Sequence, residues 1–161
     1  MTHTLRFLAM ALGLLALGAC KKTEAPAPAL VELKAPDNAD SLAWRMYMTE
    51  VVKRHMDGVS ESPFMYFLPS ADSEDFQGLY DRQLENIAAV VSRTVLPGNM
   101  LAFGSPDPAK MADLIEAAFQ GAPADSMKDV RVLFIGTPEQ GERVRAAVEP
   151  TGAVFVLHEL K

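Results

Sequence analysis

Four short apolar runs, at 64–68, 100–104, 130–136 and 153–160, alternate with longer segments of helical periodicity, and this alternation leaves few folds open to the chain. Strands separated by helical crossovers pair in parallel, with the helices lying on the faces of the sheet. The run Val132-Leu133-Phe134-Ile135 has no polar alternation, which is the pattern of a strand covered on both faces. The expected architecture is therefore a small three-layer α/β fold: a mainly parallel four-stranded sheet flanked by helices and preceded by an N-terminal helix. Strand order stays open between 2-1-3-4 and a simple sequential order.

The helical segments carry their own punctuation. Asp40 or Ser41 can cap a first helix with Trp44, Met48, Val51, Val52 and His55 at three- and four-residue steps, ended by Gly58. Asp72 or Ser73 is placed to cap a second, with Phe76, Leu79, Tyr80, Leu84, Ile87, Val91 and Val95 on one side and Pro97-Gly98 closing it. A third follows Ser105-Pro106-Asp107-Pro108, carries Met111, Leu114, Ile115 and Phe119, and stops at 121–123. Thr137-Pro138-Glu139-Gln140 has the form of a capping box with proline at the first helical position, opening a fourth helix over 138–149.

The N-terminus is organised for export. Arg6, with His3 and the free amine, supplies a positive region, an apolar stretch over 7–18 follows, and small residues precede a single cysteine. That stretch is too short to cross a bilayer, which needs about 20 apolar residues, so cleavage is expected. Leu17-Gly18-Ala19-Cys20 resembles the lipobox of bacterial lipoproteins. The resemblance covers residues 1–20 and implies cleavage between Ala19 and Cys20. It also implies a diacylglyceryl thioether on the Cys20 thiol and acylation of the new amine, so that the partner of the N-terminus is the membrane itself. Two or three acyl chains anchor firmly where one of ~14 carbons binds only reversibly. In double-membraned hosts the resemblance further implies sorting to the periplasmic face of the outer membrane, because Lys21 stands where aspartate marks retention; in a single-membrane host it implies the outer face of the plasma membrane. The expected organisation is a signal peptide at 1–19, a lipidated cysteine and Ala/Pro-rich tether at 20–39, and one α/β domain at 40–161. Val31 and Leu33 are apolar enough to touch that domain.

Charge and residue inventory then narrow the chemistry. Fifteen Lys and Arg oppose twenty-one Asp and Glu, and losing Arg6 with the signal makes the mature chain one unit more negative. That balance argues against nucleic-acid binding and against an electrostatic grip on anionic lipid. With Cys20 lipidated, no cysteine is left for a disulfide or a thiolate nucleophile. His55 and His158 fall on apolar faces and are expected to pack or hydrogen-bond; no G-x-S-x-G elbow is present. Met46, Met48, His55 and Met56 have the ligand chemistry for monovalent copper. Met46 and Met48, however, lie about 200° apart on a helix, so no metal or other cofactor is expected.

Two surfaces remain. Phe103-Gly104-Ser105-Pro106 and Ile135-Gly136-Thr137-Pro138 repeat a glycine, a hydroxyl residue and a proline at strand ends, which makes Ser105 and Thr137 the residues of a possible crevice. Asp72, Glu74 and Asp75, with Asp81 and Glu85 farther along, form a possible acidic patch for a basic partner. The expected function is a non-catalytic module that binds another envelope protein. An immunity-type inhibitor lipoprotein, and a small-ligand or metal-binding protein using the strand-end crevice, are the alternatives.

Overall fold

In the computed structural model, which describes residues 32–161, four parallel strands form one sheet in the order β1-β2-β3-β4. Chain order is α1 (Ser41–Arg54), β1 (Phe64–Phe67), α2 (Phe76–Val91), β2 (Met100–Gly104), α3 (Pro108–Phe119), β3 (Arg131–Gly136), α4 (Pro138–Val148), a 3-10 turn (Glu149–Thr151) and β4 (Val154–Glu159). The expected three-layer α/β fold is present, and of the two strand orders the sequential one is adopted. The signal segment, Cys20 and Val31 lie outside the described residues. No described helix is long and apolar enough to cross a membrane.

Sequential order determines the layers. Successive crossovers of one hand deposit α2, α3 and α4 on the same face. Strand alternation divides the side chains accordingly. Leu101, Phe103, Val132 and Phe134 point to that face and meet Ile87, Val91, Met111, Ile115, Val144 and Val148. Tyr66 stacks on Phe103 with ring centroids 5.1 Å apart. Met100, Ala102, Leu133 and Ile135 point the other way, onto Trp44, Met48, Val51 and Val52 of α1. Leu33 and Ala35 pack against the same cluster, so the compact unit begins at Glu32. Gly104 permits the close approach of α1: a methyl group there would lie 2.8 Å from Met48 Sδ and 2.9 Å from its Cγ.

Several local expectations need correction. Asp40 does cap α1, its carboxylate accepting the N–H groups of Leu42 and Ala43 at 2.8 and 2.9 Å. The second helix starts later than its cap candidates Asp72 and Ser73 suggested, because Asp107 holds the preceding segment in turns by accepting the Ala71 N–H at 2.6 Å. It also ends at Val91, short of Val95, whose N–H is drawn to the Ser126 carbonyl at 3.0 Å. Thr137 stands at the N-cap of α4 with Pro138 following, yet its hydroxyl donates to the Gln140 side chain and not into a backbone capping box.

Candidate binding surface

At the carboxyl ends of β2 and β3 the loop hydroxyls bond to neighbours within the chain. Ser105 is fully buried and its Oγ accepts the Asp107 N–H at 2.9 Å; Asp107 in turn accepts from Ser70 Oγ at 3.3 Å as well as from Ala71. Thr137 spends its hydroxyl on Gln140. Both residues therefore sit where the sequence placed them, at strand ends, with their polar atoms engaged internally. A sequential strand order has no reversal, and it is at a reversal that open α/β sheets part to admit ligands. A hollow of about 480 Å³ lies elsewhere, between the C-terminal ends of α3 and α4, lined by Glu116, Phe119, Ala147 and Thr151 among others.

Asp72, Glu74, Asp75, Asp81 and Glu85 are all exposed on and before α2. Asp75 pairs with Arg82 at 2.9 Å, and Asp81 accepts from Gln77 at 2.8 Å. On α3, Asp113 and Glu116 are bridged by the Arg143 guanidinium of α4 at 2.8 and 2.6 Å. The Tyr80 phenol is pushed up by burial first, then by Asp113, Asp81 and Glu116, so acidic groups of α2 and α3 face each other around its ring.

Two histidines 103 residues apart in sequence meet on the α1 face. His55, at the C-cap of α1, and His158, on β4, bring Nε2 and Nδ1 to 3.4 Å, with the rings edge-on. Burial lowers the pKa of both; Arg131 and Arg54 add to the effect on His55, and His55, Arg54 and Lys161 to that on His158. Arg131 donates to the His55 carbonyl. The Tyr47 ring stands edge-on to His158, its hydroxyl buried and without a partner among the described residues. Met46 is exposed while Met48 is buried in the core, so the methionines do not converge on His55. No group of three or more His, Cys, Asp or Glu suited to a metal occurs among the described residues. Three cationic neighbours would also oppose a cation at the pair. Sequence offered no signal for this contact, since it requires knowing which strand lies under the end of α1.

The two edges of the sheet differ. In β1 the Leu68 N–H reaches the Gly104 carbonyl, so by alternation the backbone groups of Met65 and Phe67 point outward, in phase with Pro63 and Pro69. Prolines at both ends remove outward donors, and Gln83 Nε2 occupies the Phe67 carbonyl at 3.0 Å. These are devices that blunt an edge. In β4 the N–H groups of Val154 and Leu160 bond inward to β3, which turns the N–H and C=O groups of Phe155, Leu157 and Glu159 outward. No hydrogen bond from another described residue meets them, and no proline interrupts the strand. Val154 is 49% exposed on the α1 face, and Arg145 lies over the Phe155 ring, 4.8 Å from its centroid, on the other. No known family model, curated protein or solved structure matches the chain, so its own residues carry the functional reading.

Proposed function

We propose that the chain is a lipid-anchored envelope protein whose domain binds another envelope protein, accepting an extended segment of that partner along the edge of β4. The observation that carries this reading is the contrast between the backbones of the two edges: β1 is short, bracketed by prolines and has its Phe67 carbonyl taken by Gln83, whereas the six residues of β4 present three outward N–H and C=O sets that no described residue meets. Natural sheets suppress exposed apolar edges because they pair with other chains. An edge that no described residue pairs with, in a protein that protects its other edge, is suited to strand addition, in which backbone bonds supply affinity and alternate side chains supply selectivity. The resemblance of Leu17-Gly18-Ala19-Cys20 to a lipobox supports this address, since a lipidated Cys20 would hold the domain on a tether beside other envelope proteins.

The test is capture from detergent-solubilised envelopes with the tagged, lipidated chain, run beside a Cys20→Ser form exported by a conventional signal. Two edge variants accompany them: Glu159→Pro, which removes one outward donor at an exposed position, and Val154→Lys, which sets a charge beside the edge. The expected result is one specific partner enriched by both unaltered forms and lost with both edge variants. Retention by the edge variants and loss on charge reversal of Asp72, Glu74 and Asp75 would move the surface to α2 and refute the β4 assignment. Enrichment of no partner by any form would refute the reading as a whole.

A further inference from the structure

We propose that the contact between His55 and His158 is an acid-sensitive latch that holds the C-terminal turn of α1 on β4, so that protonation frees the helix and bares the apolar sheet face beside the β4 edge. Its role as regulation of partner binding rests on the strand-addition reading; the latch itself is a property of the domain. The geometry is specific. One ring nitrogen of a neutral pair donates to the other across 3.4 Å, and a first added proton still leaves one ring with a lone pair to accept; once both rings are protonated no lone pair remains and two positive rings face each other at that separation.

Three elements around the pair add positive charge. Arg54 comes from α1, Arg131 from the start of β3 and Lys161 from just beyond β4, and each opposes a further proton on one or both rings. The nearby carboxylate of Glu32 is committed to Lys161 at 2.8 Å, Glu159 points to the opposite strand face, and Tyr47 contributes an uncharged ring. Beneath α1 lie Met100, Ala102, Leu133, Ile135 and Val156, which no other described helix covers. Freeing the end of α1 would therefore expose apolar surface directly beside the open edge.

Trp44, the chain's only tryptophan, sits in this helix at 4% exposure and reports on it directly. The experiment is residue-resolved hydrogen exchange on the full-length chain without any partner, from pH 7.5 to pH 5, corrected for intrinsic exchange, with Trp44 emission followed in parallel. Each proton taken up on opening raises the opening equilibrium about tenfold per pH unit below the ordinary histidine value of about 6.5. The amides of α1 should lose protection by about tenfold per unit if one ring titrates and about a hundredfold if both do. The amides of α3 should hold theirs, and Trp44 should shift to the red. His158→Asn and His55→Asn should each flatten the slope. Equal loss in α1 and α3, an unchanged α1, or an undiminished slope in both variants would overturn the latch. Because no partner is present, failure here leaves strand addition standing, and failure of strand addition leaves this result untouched.

Discussion

Replacing Gly104 with alanine tests how α1 is held on the sheet. The added methyl would meet three atoms of Met48 at 2.8, 2.9 and 3.1 Å, and Met48 is 1% exposed, so its side chain has no free space into which to swing. Overpacking of this kind costs about 1–3 kcal/mol. Removing glycine from the unfolded chain returns about 0.5–1 kcal/mol, and Gly104 has an ordinary negative φ that alanine adopts freely. The net loss for Gly104→Ala is then about 0–2.5 kcal/mol. Met48→Ala alone removes a buried side chain and should cost about 2–5 kcal/mol. Together they should cost less than their sum by about 1–3 kcal/mol, because truncating Met48 makes room for the new methyl. Urea unfolding followed by both far-UV circular dichroism and Trp44 emission measures all four corners of the cycle. Costs that add within about 0.5 kcal/mol, or a Gly104→Ala protein more stable than its parent, would refute the packing described between α1 and β2.

Three further outcomes are expected. Asp40→Ala removes the acceptor for two free N–H groups of α1 and should lower stability by about 1 kcal/mol in the same urea assay, with Asp40→Asn or Ser recovering most of it. Arg143→Met breaks a guanidinium fork shared by Asp113 and Glu116; because the three side chains are about two-fifths exposed, the loss should be about 0.5–1 kcal/mol and should shrink when the titration is repeated in 1 M salt. Stability should be flat from about pH 8 to about pH 6.5 and fall below that, because His55 and His158 have folded-state values held beneath those of the unfolded chain, which takes up protons first. The slope is at most about 1.4 kcal/mol per pH unit for each ring, and His158→Asn should reduce it.

Strand positions were legible because each apolar run is short and has glycine or proline at one end at least: Met100–Gly104 and Arg131–Gly136 fall within a residue of where the sequence put them. Features set by distant residues were not. The start of α2 depends on Asp107, more than thirty residues on, reaching back to Ala71, and no local pattern announces that bond. Ser105 and Thr137 were recognisable as strand-end hydroxyls, but whether such a group faces a ligand or its own loop depends on strand order, which a single sequence leaves open. The same order decides which strands are edges. Hence the openness of β4, the protection of β1 by Gln83, and the meeting of His55 with His158 all emerge only once the sheet is assembled. The acidic residues around α2 were legible as an exposed surface, with Asp75 partly neutralised by Arg82.

The measurement that bears most directly on the β4 surface is amide exchange along that strand, in the purified full-length chain and again in the complex captured from envelopes. The outward amides of Phe155, Leu157 and Glu159 should exchange quickly in the free protein while the inward amides of Val154, Val156 and His158 stay protected, and the outward set should become protected in the complex. Outward amides already as protected as the inward ones in the free protein, or still fast-exchanging in the complex, would contradict the account.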